Sequence, residues 1–191
     1  MCRKKVGGLA HSEEMRVEVE LMSHIDEICE AWKEVRNGLI KEIESIPADQ
    51  FGFRAAEGSR SVLEILQHIV ETERVLTGQI CSEDTNLARP PLELIAEHAS
   101  QVKAADTRDA IIELLQSSLD ESTQRIRECG DERLEQMMTR FDGKQVRKLA
   151  MLNFVVAHEM YHRGQVTVYQ RLLGVEPALT KFFKQLVAAR G

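Results

Sequence analysis

An all-α fold, a bundle of four main helices with a long connection between the second and third, is what this sequence predicts, on three observations. Apolar residues recur at spacings of three and four almost throughout, the period of helices with one buried side. Breakers gather between those stretches, in PADQFGFRAAEGSR at 47–60, at Pro90 and Pro91, and at Gly130. No segment reads convincingly as a strand, and there is no internal repeat or low-complexity tract. The 191 residues, 43 % apolar and 29 % charged, suffice for one domain with a substantial core, expected over 13–191 behind a flexible tail at 1–12.

The first helix is expected from about Glu13 to Ile46, where Met22, Ile25, Cys29, Trp32, Val35, Leu39 and Ile43 form one stripe and Pro47 ends it. The second starts at Ser61, whose S-V-L-E is a capping box with Glu64, and runs to about Ile80 with Val62, Ile65, Leu66, Ile69 and Leu76 inward. Residues 81–106 form a connection long enough to cross the end of a bundle, with a short helix through LELIAEHA started by the double proline. Thr107 caps the third helix, carrying Ile111, Leu115, Leu119 and Ile126, and Gly130 stops it. F-D-G at 141–143 signals a turn. The fourth helix is expected from about Lys144 to Leu173, and an amphipathic segment from Thr180 finishes the chain.

Composition removes several function classes. The formal charge of −6, with Lys and Arg dispersed among acidic residues, argues against general nucleic-acid binding. Nothing spans a bilayer, and MCRKKVGGLAHSEE lacks the apolar run of a signal peptide, so the expected location is cytoplasmic. Cys2, Cys29, Cys81 and Cys129 lie far apart with no CxxC pair, which predicts free thiols in a reducing compartment.

The chemistry concentrates on the fourth helix. HEMYH at 158–162 matches H-E-x-x-H, in which two histidines one turn apart hold zinc and the glutamate activates water. A protease needs a third ligand in a set place. Here Gly164 stands one position early for the metzincin form and Val168 occupies the third histidine's position, while Glu176, in a turn, is the only later acid. His158 and His162 nevertheless share a face with Met151, Val155, Gln165 and Tyr169, so both rings point inward and need a hydrogen bond or an ion. His68, two turns into the second helix, is the candidate third ligand; otherwise it is a core histidine paired with Glu71 or Thr72. His11, His24 and His98 have no partner at ligand spacing and read as surface residues. Gly164 in mid-helix costs about 1 kcal/mol relative to Ala, which a close helix approach would justify, and Arg163 and Gln165 either orient the site or cap carbonyls.

The segments SVLEILQHIVETE and NFVVAHEMYHRGQVTVYQRLLGVEP, with their H-x-x-x-H-R-G-Q core, resemble the DinB/YfiT family of metal-dependent enzymes, over most of the chain. The resemblance implies a four-helix bundle with a divalent metal on His68, His158 and His162, zinc or nickel foremost. It leaves Glu159 facing away from the ion or bonding to its ligands. It also implies a thiol S-transferase or isomerase using a low-molecular-weight thiol such as bacillithiol or mycothiol, or a damage- or stress-induced protein of other activity, and a homodimer.

Three neutral imidazoles leave the ion's double charge uncompensated, which favours an anion in an open position. A thiol there is deprotonated, and water falls to a pKa of about 7. The expected function is therefore thiol transfer to an electrophilic small molecule. The alternatives are a hydrolase using water, with Glu159 as candidate base, and a non-catalytic metal or small-molecule binder with a filled coordination sphere. For the dimer, Trp32 or TKFFKQLV would supply apolar surface, unless Phe182 and Phe183 fold back on their own bundle.

Overall fold

The computed structural model describes residues 23–190. The expected tail, the stretch 13–22 of the first helix with Met22, and Cys2 and His11 lie outside the described residues. Helix α1 (His24–Glu44) begins at Ser23, whose hydroxyl accepts the Asp26 N–H at 3.1 Å. With Ser23 extended, α1 starts at His24. Helix α2 (Val62–Cys81) starts in the expected capping box, with Ser61 and Glu64 satisfying each other's N–H. Helices α3 (Pro91–His98), α4 (Arg108–Cys129, capped by Thr107), α5 (Asp131–Leu134), α6 (Lys148–Leu172) and α7 (Ala178–Ala188) follow.

Four of these, α1, α2, α4 and α6, make the bundle, and side-chain pairs fix their directions. Asp26 meets Arg127 while Arg108 meets Glu44, so α1 and α4 are antiparallel. Glu73 meets Ser118 and Thr77 meets Ser122, so α2 and α4 run parallel. Parallel neighbours cannot be joined by a tight turn, which is why the connection through α3 travels back along the bundle, as its length predicted. It is pinned to α2 where the Gln67 amide donates to the Ala105 carbonyl and Lys103 donates to Gln67 Oε1. The core between the helices includes Trp32, Leu39, Leu66, Ile80, Ile111, Leu115 and Leu152, all fully buried.

Several expectations are corrected. A two-stranded antiparallel sheet, β1 (Met137–Thr139) and β2 (Gln145–Arg147), flanks the F-D-G turn, and α6 therefore begins at Lys148 rather than Lys144. Three residues per strand are too few to show alternation. Cys81 and Cys129 are not free: the parallel run of α2 and α4 brings their last residues to a Cα separation of 5.8 Å, joined as a disulfide, while Cys29 stays a buried thiol. Trp32 cannot form a surface, being 0 % exposed. Phe182 and Phe183 stay more than half exposed, since α7 buries none of its residues and is held chiefly at its N-terminus, where Ala178 and Leu179 N–H donate to the buried Glu42 carboxylate and Phe182 borders a cleft beside Gly38 and Arg163. No described helix is long and apolar enough to cross a membrane.

Candidate metal centre

The antiparallel run of α2 against α6 decides where the histidines go. His68 lies two turns from the start of α2, and His158 and His162 lie mid-way along α6, so the three rings meet at one level. Their ligand atoms all fall within 4.8 Å of one another, with His158 Nε2 at 3.2 Å from His68 Nε2 and 3.0 Å from His162 Nε2. His68 thus bonds neither Glu71 nor Thr72.

Whether a transition ion fits can be tested on the donors. His162 Nδ1 donates to Gln165 Oε1 at 2.7 Å, which fixes its tautomer and leaves Nε2 as a bare lone pair facing the other rings. With at most one proton per remaining ring, three converging nitrogens leave lone pairs that a cation satisfies. Imidazole nitrogens sharing a tetrahedral ion at about 2.0–2.1 Å lie roughly 3.3–3.4 Å apart, close to the observed spacing. Burial, followed by the positive charge of Arg60 and neighbouring groups, lowers the pKa of His68 to about 4. Burial and the adjacent imidazoles take His158 to about 3, and burial also lowers His162. Rings held neutral to such acidity are ready ligands.

Glu159 is not beside them. Its side chain leaves α6 toward α1, where Arg36 Nε and one terminal nitrogen clamp its two oxygens at 2.5 and 2.8 Å, and Trp32 Nε1 donates at 2.7 Å. Glu73 joins from α2, accepting from Arg36 at 2.6 Å and from the Ser118 hydroxyl at 3.1 Å. All three charged side chains are at most 1 % exposed. Burial opposes the charge on Arg36, but Glu73 and Glu159 more than offset it and hold the guanidinium protonated. The carboxylate of H-E-x-x-H is therefore spent on the core, which removes it as a general base.

Sequence reasoning missed Arg36 and Glu73, although both left a signal: each occupies a core position on its apolar stripe, Arg36 one turn after Trp32 and Glu73 one turn after Ile69. Gln165 orients His162, whereas Arg163 lies across Gly38 toward Glu42 on α1. Gly164 meets no close approach, with nothing within 4 Å of where a Cβ would stand. His24 is exposed as expected, but His98 is half-buried, stacked on Gly78 and accepting at Nε2 from the Gln79 amide at 3.0 Å.

A family model described as the DinB family matches residues 15–189. No curated protein matches the sequence. Among solved structures, YfiT of Bacillus subtilis, described as a probable metal-dependent hydrolase with an unusual four-helix bundle topology, aligns at TM-score 0.63 and 20 % identity over 82 % of this chain and 93 % of its own. A DinB-like protein of Bacillus subtilis, YjoA, aligns at TM-score 0.60 and 22 % identity, over 78 % of this chain and 92 % of its own. A mycothiol-dependent maleylpyruvate isomerase aligns at TM-score 0.61 and 15 % identity, over 74 % of this chain and 60 % of its own. At these identities what is shared is the fold.

Proposed function

Because the chain belongs to the DinB family, we propose that it is a metal-dependent enzyme in which His68, His158 and His162 hold a divalent transition ion, zinc or nickel foremost, and that it joins a small thiol to an electrophilic substrate. The observation that carries this reading is the convergence of three neutral imidazole nitrogens with no carboxylate among them. The ion, when bound, supplies Lewis acidity that favours the ionised form of a thiol or of water. The chain's own groups favour the thiol. Glu159 is locked on Arg36, and Glu71, beside His68, pairs with Lys103 at 3.3 Å, so neither stands free to take a proton from water in step with its attack. Both a thiol and water can ionise on the ion ahead of attack, but a thiol starts from a pKa of about 8.5 against about 15.7 for water and is deprotonated outright, which favours it as the nucleophile. Its sulfur lone pair forms the new C–S bond, and the electron pair displaced from the electrophile leaves with its departing group or takes up a proton.

The second reading, a hydrolase consuming water, is supported by the fold shared with YfiT. Added thiol distinguishes the two. We also infer a homodimer, supported by exposed Phe182, Phe183 and Val187 on α7 and Tyr161, Val168 and Leu172 on α6.

The test is metal per chain by elemental analysis on untagged protein, with His68→Ala beside it. About one ion per chain in the wild type, largely lost in the variant, is the expected outcome, and turnover of model electrophiles should then require thiol. Metal kept without His68, or none in either protein after reconstitution, would refute the three-histidine assignment.

A further inference from the structure

Next to the histidines lies a cavity of about 210 Å³ whose position and lining say what it takes. His68 forms one end. The walls are Val75 and Leu76 of α2, Leu94 and Ile95 of α3, and the rings of Phe141 and Phe154. The two rings stand 6.0 Å apart between centroids, and Phe154 is 5.8 Å from the His158 ring, so an aromatic wall leads from the cavity to the imidazoles. Phe141 and Phe154 are 58 % and 38 % exposed, apolar surface that a seated ligand would cover.

We propose that this cavity holds the apolar body of the electrophilic substrate, and that the substrate is a small neutral molecule of about one substituted aromatic ring. The proposal rests on the metal reading above. Size sets the first limit: an apolar cavity of about 150 Å³ holds benzene, so this one seats a ring with a substituent against its walls. Charge sets the second. No cationic side chain lines the cavity, and its one charged group, Glu71, already has Lys103 as partner. In the metal-free protein a carboxylate placed here would be desolvated beside another carboxylate, at a cost nothing in the lining offsets. Polarity sets the third. A thiol carried on a sugar or peptide gains little from these walls, so the cavity suits the electrophile, with Thr72 and His68 at its polar edge.

The experiment measures binding rather than turnover. Saturation-transfer NMR titrations with benzyl alcohol, benzoate and glucose are run on metal-free and zinc-loaded protein, on Ile95→Trp, which fills the cavity, and on Phe141→Ala, which removes an exposed wall. Benzyl alcohol should bind at least about tenfold more tightly than benzoate or glucose, and both variants should weaken it by about tenfold or more. Equal binding of benzoate and benzyl alcohol to the metal-free protein, where no ion can hold the carboxylate, would overturn the proposal. So would binding unchanged in Phe141→Ala, which decides the matter should Ile95→Trp lose its helical circular dichroism. Because the walls are apolar, benzyl alcohol should bind the metal-free protein as well. A failed metal assignment leaves that binding intact, and a failed cavity assignment leaves the metal stoichiometry intact.

Discussion

His162 can offer Nε2 to its neighbours because Gln165, three residues along the same helix, accepts the proton on Nδ1. Gln165→Leu frees the ring to turn and change tautomer, and should weaken zinc binding by about 10–100-fold at unchanged helix content. Competition with a chromophoric chelator measures this; an unaltered affinity would mean that packing alone orients the ring. The depressed pKa values have a second outcome. Well above pH 6.5, the ordinary histidine value, neither folded nor unfolded chain carries protons on these rings, and stability is complete. Below it the unfolded chain takes up protons that the folded one refuses, so the metal-free protein should lose stability progressively as the pH falls toward about 4 for His68 and about 3 for His158. Thermal midpoints across this range should fall less steeply in a His68→Ala, His158→Ala double variant, and coincident slopes would count against the buried neutral rings. The inward pair at 158 and 162 was legible from spacing. The direction of Glu159 was not, because H-E-x-x-H records adjacency in sequence, whereas neighbouring helical side chains point about 100° apart.

Arg36 links all four bundle helices: it rises from α1, grips Glu159 on α6 and Glu73 on α2, and donates to the Leu115 carbonyl and Ser118 hydroxyl of α4. Removing it strands two carboxylates in the core. Arg36→Ala should cost about 3–5 kcal/mol of unfolding free energy by urea titration. Glu159→Gln should also destabilise while metal per chain stays unchanged; loss of the ion in a folded Glu159→Gln protein would reinstate the zinc-glutamate reading. Periodicity placed the four bundle helices and their inner sides, and the capping box at Ser61. It could not pair Arg36 with groups 37 and 123 residues away, because partners across helices depend on tertiary packing. The hairpin at 137–147 escaped for a related reason, being held by the connection before α3, where Leu87 N–H donates to the Thr139 carbonyl and Thr139 N–H to that of Thr85.

At the scale of the molecule, the long connection both permits parallel α2 and α4 and walls the cavity beside His68, so the bundle's topology and its pocket have one origin. Length and breakers announced the crossover, but not the helix it covers. Apolar side chains exposed on α6 and α7 lead to the homodimer prediction. Analytical ultracentrifugation should give twice the 21.7 kDa chain mass, and Phe182→Lys with Phe183→Lys should give monomers. A monomeric wild type would leave those faces to another role. One consequence concerns time rather than structure. His158 and His162 are neighbours as soon as α6 winds, but His68 stands 90 residues from His158 and joins them only when α2 has docked on α6. For the proposed three-histidine site, the complete ligand set therefore forms only after α2 and α6 have packed, unlike a zinc finger that folds around its metal. Metal bound by all three rings would then time the docking of α2 on α6 in a refolding experiment.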